Sequence, residues 1–240
     1  MDKSHNSGMP RWIRVVNAAE LQQLACQRIL DAAKRAIDQR GQFHIVLAGG
    51  NTPRAIYQML SHANADWKYW NIYFGDERCL PADDIHRNST MASDTWLGSV
   101  DIPANQIHVI QAELGAGIAS MLYAKILHAV ADFDLVLLGL GEDGHTASLF
   151  PGHDWGVTAT SADVLAVVDA PKPPAQRVTM SAQRLSRTRE VFFMVEGESK
   201  RNAVRQWQAG AELPVRAIRP ETGVDVLIEA QLLMPRLTGA

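Results

Sequence analysis

Short apolar runs alternate along this chain with segments whose apolar residues recur every three or four positions. Runs at 43–48, 70–74 and 133–138 are each long enough for a buried strand. Segments of helical periodicity separate them, and the longest of these follows Asn17 and reaches about Gln39. Strands separated by helices form parallel βαβ units with helices on both faces of the sheet. The pattern therefore predicts an α/β fold with three αβα layers around a mainly parallel, Rossmann-like sheet.

The other predicted elements continue this alternation. Further strands are predicted at 12–16, 107–110, 164–168, 177–180, 191–195 and 224–228. Helices are predicted from a Thr52 cap with Pro53 in the first turn, over 89–97, 117–131 and 198–208, and in a short terminal segment. The strands near 164–180 follow each other without a helix, which indicates a small mixed-strand region. No repeat or linker interrupts the 240 residues, so we expect a single domain over 1–240.

Charge and composition narrow the classes of partner. The net charge of −3 argues against a general nucleic-acid binder, and no apolar run is long enough to span a bilayer. No signal-peptide pattern is visible, and Cys26 and Cys79 lie far apart, which fits a reducing compartment. We therefore expect a cytoplasmic protein that binds neither membranes nor nucleic acid. We also expect a monomer or weak homodimer. A nucleophilic Cys79 is disfavoured because no histidine is tied to it in sequence.

Residues 139–152 follow the apolar run at 133–138 and are open to two interpretations. Gly139, Gly141 and Gly144 fit the G-x-G-x-x-G pattern of dinucleotide sites, with Asp163 about twenty residues further on. That pattern needs a helix that starts at the glycines, whereas Pro151 and the following glycine interrupt the chain within about two turns. We therefore disfavour a dinucleotide loop, and the chemistry of the segment then lies in its carboxylate and its imidazole.

The second interpretation is a sugar-phosphate site built from several predicted strand ends. A glycine turn that runs into a helix N-terminus is suited to an anion. Guanidinium and ammonium groups at other strand ends add positive charge, while carboxylates and an imidazole add groups that move or orient a proton. The candidates for phosphate and substrate binding are Gly49, Gly50, Asn51, Thr52, Lys172, Arg177 and Lys200, and those for catalysis are Asp76, Arg78, Asp143 and His145.

Four blocks of the chain, at 48–53, 76–81, 141–151 and 171–179, resemble the 6-phosphogluconolactonase family. They follow in the family's order and cover nearly the whole chain, and the block from Asp143 to Pro151 is the most specific. The resemblance implies a sugar-phosphate isomerase/CoA-transferase-like fold, shared with glucosamine-6-phosphate deaminases and ribose-5-phosphate isomerases. It also implies hydrolysis of 6-phospho-D-glucono-1,5-lactone to 6-phosphogluconate in the oxidative pentose phosphate pathway. The chain has Ala48 and Asn51 where the family often has serines, so phosphate contacts there rest on backbone N–H groups.

Lactone hydrolysis needs a water nucleophile, a base and a place for the oxyanion. We expect His145 to act as the base, with Asp143 or Asp76 orienting its ring and Arg78 stabilising the oxyanion or holding the substrate. The sequence leaves open which carboxylate is the partner and which cation reaches the phosphate. No histidine pair has the spacing of a metal site on a helix, so we expect neither a metal nor another cofactor.

Two alternatives on the same fold remain. In glucosamine-6-phosphate deaminases, the resemblance implies a catalytic glutamate at the position that Phe150 occupies here. A non-catalytic sugar-phosphate sensor of the kind found in bacterial repressors would carry a helix-turn-helix of some fifty residues. Only about eleven residues, not strongly basic, precede the first predicted strand. A lactonase is therefore the favoured function.

Overall fold

A computed structural model describes residues 10–233, which form ten strands and six α-helices. The strands are β1 (Arg11–Val15), β2 (Phe43–Leu47), β3 (Trp70–Phe74), β4 (Asp76–Arg78), β5 (Ile107–His108), β6 (Phe133–Gly139), β7 (Val164–Val167), β8 (Arg177–Met180), β9 (Thr188–Val195) and β10 (Asp225–Glu229). The helices are α1 (Ala18–Arg40), α2 (Asn51–Leu60), α3 (Asn88–Thr95), α4 (Ala116–Leu127), α5 (Ala182–Ser186) and α6 (Arg201–Gln208).

Seven strands form one parallel sheet in the order β1-β10-β9-β6-β2-β3-β5, and helices flank it. From β2 the chain moves outward through β3 to β5, and then returns to β6 on the other side of β2. Open α/β sheets bind ligands at such a reversal, beyond the carboxyl ends of the strands. The strands β4, β8 and β7 form a separate antiparallel sheet. The predicted fold class, including the small mixed-strand region, is confirmed.

Local sequence explains the best-predicted elements. The side chain of Asn17 accepts a hydrogen bond from the backbone N–H of Glu20 and starts α1, and Gly41 ends the helix in the left-handed conformation. The apolar residues that recur along α1 are buried as the periodicity predicts. Strand β6 is buried along nearly all its length because it lies in the middle of the sheet, with β9 and β2 as neighbours.

Other boundaries differ from the prediction. Helix α2 begins at Asn51 with Gly50 in the cap position, so Thr52 is not the cap. The segment 76–78, for which no strand is predicted, pairs with β8. Helix α5 was missed, and the helix predicted over 198–208 begins with a 3₁₀ turn at Glu198–Lys200. The terminal helix is a 3₁₀ helix at Ala230–Leu233, and any part of it beyond 233, like the polar segment before residue 10, lies outside the described residues.

Candidate active site

Four neighbouring strands of the parallel sheet end at one cavity. Its volume is about 230 Å³, and it lies at the carboxyl ends of β9, β6, β2 and β3. Seven of the eleven predicted site residues line it: Gly49, Gly50, Asp76, Arg78, His145, Arg177 and Lys200. Asn51, Thr52, Asp143 and Lys172 are not part of its wall. The structure therefore brings most of the predicted site together, at the reversal point of the sheet.

His145 carries the group in this cavity best suited to moving a proton. Its Nδ1 lies 2.5 Å from Oδ1 of Asp143, and its backbone N–H also points to that oxygen. Burial alone would raise the pKa of Asp143, but the hydrogen bond with His145 and the charge of His145 hold that pKa below its usual value. An ionised carboxylate only accepts hydrogen bonds, so Nδ1 carries the proton and Nε2 keeps its lone pair.

The ionisation of His145 also favours a base. Burial lowers the pKa of its imidazole, and the positive charge of Lys172 acts in the same direction. The hydrogen bond and the charge of Asp143 oppose this change, and so does the charge of Asp76. The net result is a pKa below the ordinary value of 6.5, so the ring is neutral near pH 7.

The glycines after β6 form the turn that presents His145. The N–H of Gly141 donates to the carbonyl of His145 (2.7 Å), and Gly144 has a φ of 85°, which favours glycine. No helix starts in this segment, because the next helix after β6 is α5. A dinucleotide loop needs a helix at this point, so that interpretation is wrong.

Asp76 is held by two residues other than His145. Its Oδ2 accepts a hydrogen bond from Oγ of Ser148 at 2.6 Å, and its Oδ1 accepts one from Nδ2 of Asn88 at 3.2 Å. Asp76 is buried, and its charge partly opposes the burial that lowers the pKa of both His145 and Arg177. Of the two carboxylates that the sequence left open, Asp143 is therefore the one that binds the imidazole.

The glycine turn after β2 has the geometry of an anion-binding turn. A Cβ at Gly49 would lie 1.9 Å from Oδ1 of Asn88, and Gly50 has a φ of 107°, so both positions favour glycine. Gly50 has no side chain with which to cap α2, and the first-turn N–H groups of a helix lack partners within the helix. Asn51 and Thr52 form that first turn. The N-terminus of α2 is therefore suited to a phosphate.

The four predicted cations have different roles. Arg177 is nearly buried, and its guanidinium donates to the carbonyls of Lys172, Pro173 and Pro174, so it braces that loop. Lys172 is exposed on the same loop. Arg78 donates to the carbonyl of His86, and among residues 10–233 neither it nor Lys200 pairs with a carboxylate. Arg78 and Lys200 are thus the wall cations most open to a ligand.

Other chemistry has less support in this cavity. Burial raises the pKa of the Cys79 thiol, which disfavours the thiolate that a nucleophile requires. Within the described part of the chain, no three His, Cys, Asp or Glu side chains cluster as metal ligands would. No helix among these residues is long and apolar enough to cross a membrane.

Sequence reasoning missed three residues around the site. Asn88 and Ser148 hold Asp76, as described above, and Glu77 is fully buried beside it. Glu77 accepts hydrogen bonds from the backbone N–H groups of Asn88 and Ser89 and so caps α3. Ser148 lies within the specific block at 141–151, which was a usable signal. No local pattern pairs Asn88 or Glu77 with its partners, because these contacts depend on the turn between β4 and α3.

Comparison with known sequences finds relatives that cover most of the chain. The profile of the family described as glucosamine-6-phosphate isomerases/6-phosphogluconolactonase matches residues 16–227. A 6-phosphogluconolactonase of Mycobacterium tuberculosis is 38% identical over 202 residues, which cover 78% of this chain and 81% of that protein. A 6-phosphogluconolactonase of Synechocystis is 36% identical over 211 residues, or 82% of this chain and 86% of the relative.

Solved structures share the same architecture. The 6-phosphogluconolactonase of Trypanosoma brucei has a TM-score of 0.81 at 27% identity, with 94% of this chain and 98% of that chain covered. The 6-phosphogluconolactonase of Thermotoga maritima gives 0.84 at 23% identity, with 92% and 100% covered. A monomeric glucosamine-6-phosphate deaminase gives 0.76 at 21% identity, with 93% and 98% covered. At such low identity, the last two likenesses concern the fold alone.

Proposed function

We propose that this chain, which belongs to the family of glucosamine-6-phosphate isomerases and 6-phosphogluconolactonases, hydrolyses 6-phospho-D-glucono-1,5-lactone to 6-phospho-D-gluconate. This reaction belongs to the oxidative pentose phosphate pathway. The family profile and the relatives confirm the family that the four sequence blocks resemble. Named 6-phosphogluconolactonases cover most of this chain at 35–38% identity, which supports a lactonase rather than another activity of the family.

One observation carries this proposal beyond similarity. His145, with Asp143 on its Nδ1, lines the same cavity as the glycine turn at the N-terminus of α2. A general base and an anion site thus face one small space, which suits a substrate with a reactive ester at one end and a phosphate at the other. The terminal phosphate would bind the N–H groups around Gly50, with Lys200 adding its charge.

The reaction then proceeds by water attack on the lactone. Nε2 of His145 takes a proton from water as the water oxygen bonds to C1 and the carbonyl becomes an oxyanion. Arg78, which lines the cavity, stabilises that charge in the proposed mechanism. As the intermediate collapses, the bond between C1 and the ring oxygen breaks, and Nε2 returns its proton to that oxygen. Asp143 holds the ring in the required tautomer and stabilises its charged form.

The direct test is lactone turnover by the purified protein. The lactone is generated in solution at a pH where spontaneous hydrolysis is slow, and 6-phosphogluconate is measured through a coupled dehydrogenase. We expect the rate to increase in proportion to protein concentration, and the lactone without a phosphate to react far more slowly at equal concentration. A rate equal to the spontaneous background would contradict the proposal.

The same preparation tests the two alternatives. Phe150, at the position of the deaminase glutamate, is fully buried and contributes no carboxylate to the cavity. We therefore expect no ammonia from glucosamine 6-phosphate. Substrate turnover itself separates an enzyme from a sugar-phosphate sensor, which would bind the ligand and leave it unchanged.

The remaining parts of the proposal concern the setting of the enzyme. We propose one domain over residues 1–240, in a monomer or weak homodimer located in the cytoplasm. The small-molecule lactone is the proposed partner, with no nucleic acid, membrane, metal or other cofactor required. Sedimentation at several protein concentrations and turnover in the presence of a chelator test these points.

A further inference from the structure

The imidazole of His145 lies in a narrow slot. A Cβ added at Gly141 would lie 2.0 Å from Nδ1 and 2.2 Å from Cε1 of the ring, so the ring packs directly on the backbone of Gly141. The ring of Phe150 also packs against it, with centroids 4.9 Å apart and planes inclined at 44°. Asp143 holds Nδ1 at the edge of the ring. Three contacts thus restrict the position, the plane and the rotation of one side chain.

We propose that Gly141 and Phe150 are positioning residues that hold the His145 ring, with Nε2 directed at the substrate, and keep water from the rest of the ring. This inference rests on the proposed function, because it assigns the two residues to the general base of that reaction. Neither residue needs to touch the substrate. Their effect passes through His145.

Phe150 is suited to this role by its own packing. It is fully buried and forms a small apolar cluster with Val167 and Ala170, apart from the main core. The guanidinium of Arg177 lies 5.5 Å from its ring centroid. An aromatic ring at this position is therefore held from several sides, and it offers His145 a rigid wall that a flexible aliphatic side chain would not reproduce.

The glycine at 141 is explained by the same contact. Its φ is not in the left-handed region, so the backbone there would accept an alanine. The obstacle to a side chain is the imidazole itself, which would have to leave its place against the backbone. A substitution at position 141 therefore tests the placement of the His145 ring and does not introduce backbone strain.

Several charged groups surround the ring and influence the pKa of His145 before any substitution is made. Asp143 bonds Nδ1, Lys172 approaches from the loop before β8, and Asp76 approaches from β4. Other charged or titratable groups near the slot are Arg78 and Lys200 in the cavity wall, and Arg177 and His153 across the ring of Phe150. Substitution of Phe150 leaves these side chains in the protein, so its main effect on the ring is to admit water.

The decisive experiment is an NMR titration of His145 in Phe150→Leu. Burial is the largest influence on the pKa of His145, and it lowers that pKa. Admission of water should therefore raise it by about half a unit or more. The acid limb of the kcat/KM profile should move in the same direction, and kcat should fall about tenfold while KM changes less than about twofold.

Phe43→Leu is the control, because it makes the same change at a fully buried site at the amino end of β2. It should destabilise the protein and leave both the pKa of His145 and the acid limb of the kcat/KM profile unchanged.

Gly141→Ala tests the opposite wall. The added methyl group should displace the ring and lower kcat more than Phe150→Leu does. It should also weaken the hydrogen bond between Nδ1 and Asp143, so the downfield NMR resonance of the Nδ1 proton should move upfield or disappear. Gly117→Ala is the matched control, since a Cβ there meets nothing within 4 Å, and its kcat should be unchanged. An unchanged pKa of His145 in Phe150→Leu, or full activity in Gly141→Ala, would overturn the inference. The NMR titration needs no substrate, so a moved pKa in a protein without lactonase activity would instead contradict the proposed function.

Discussion

Two histidines lie beside clefts at opposite ends of the parallel sheet, and they differ in whether a carboxylate bonds the ring. His145 lines the cavity of about 230 Å³ at the carboxyl ends of the strands. His44, the second residue of β2, lines a cavity of about 250 Å³ that also includes Asp134, Arg40 and Arg189. Burial lowers the pKa of both imidazoles, so burial and cavity volume do not distinguish them.

The carboxylates distinguish them. Asp134 accepts a hydrogen bond from the backbone N–H of His44 (2.8 Å), while the His44 ring pairs with the hydroxyl of Tyr73 (3.2 Å). Asp143 instead bonds the ring of His145 directly. A carboxylate on Nδ1 sets the tautomer and stabilises the imidazolium, which a tyrosine hydroxyl does poorly. What sets apart the histidine proposed as the base is therefore the contact that its carboxylate makes, and not the presence of a carboxylate nearby.

The cations differ in the same way. In the amino-end cleft, Arg40 and Arg189 both pair with Asp134, at 2.8 and 3.5 Å. At the carboxyl end, Arg78 and Lys200 have no such partner within residues 10–233, and the N-terminus of α2 adds unpaired N–H groups. Asp132 also lines the amino-end cleft, so two guanidinium groups face two carboxylates there, whereas the carboxyl-end cavity retains cations that suit an anionic substrate.

The largest expected difference comes from removing each imidazole. His145→Ala should lower kcat about 100-fold or more, with KM largely kept, because general-base catalysis is lost while the phosphate contacts remain. His44→Gln should change kcat less than about twofold and lower only the melting temperature. Stopped assays that subtract spontaneous hydrolysis measure both. Equal kcat in His145→Ala and the wild type would remove His145 from the base role.

The two carboxylates provide the next comparison. Asp143→Asn should lower kcat about 10- to 100-fold, because the amide no longer fixes the tautomer. It should also move the acid limb of the pH profile to lower pH, since Asp143 raises the pKa of His145. Asp134→Asn should reduce stability, because it weakens a buried ion pair, with kcat unchanged. A stability loss without a kinetic effect in Asp143→Asn would make the two carboxylates equivalent and contradict this contrast.

A smaller effect is expected from the cations. Lys200→Ala should raise KM for the phosphorylated lactone about tenfold, roughly the loss of one charged contact, and leave kcat within about threefold. Arg189→Ala, which removes a cation from the amino-end cleft, should not change KM. Steady-state kinetics with both variants decide the point. An unchanged KM in Lys200→Ala would transfer the phosphate role to Arg78 or to the N–H groups of α2.

The sequence predicted the strands and the site pieces because both depend on local patterns. The apolar runs at 43–48, 70–74 and 133–138 become central strands, and the blocks at 48–53, 76–81 and 141–151 follow them, so parallel topology brings these three blocks together. The block at 171–179 instead reaches the site through the antiparallel pairing of β8 with β4. Local sequence patterns do not show which residues distant in sequence will contact each other. The β4–β8 pairing, the Ser148–Asp76 bond and the choice between Asp143 and Asp76 all depend on how distant segments meet.

The slot around His145 marks the same limit. Gly141 and Phe150 both lie in the block at 141–151, yet the sequence suggested only a turn glycine and an absent glutamate at these positions. Their common role depends on the ring that lies between them, four residues from one and five from the other. A motif can therefore identify the right segment while the physical reason for its residues waits for the geometry.

The smallest expected effect concerns pH and stability at the amino end. Tyr73 stacks between His44 and His108, with ring centroids 5.9 and 4.5 Å away, and burial raises its own pKa to about 12. Burial lowers the pKa of His44, the charge of Asp134 opposes this change, and the charges of Arg184 and Arg40 add to it. Burial also lowers the pKa of His108.

The folded-state pKa values of His44 and His108 lie below the ordinary value of 6.5, so between those values and pH 6.5 the unfolded chain binds more protons than the folded chain. The stability of the fold with neutral histidines is therefore fully present above about pH 6.5, and it is lost as the pH falls through 6.5 towards the folded-state pKa values. The melting temperature should therefore drop by a few degrees between about pH 7.5 and about pH 5.5. The drop should be smaller in His44→Gln, whose uncharged amide does not titrate. An equal drop in the variant and the wild type would assign the acid sensitivity to His145 or to groups outside the stack, and the two histidine regions would then differ in catalysis alone.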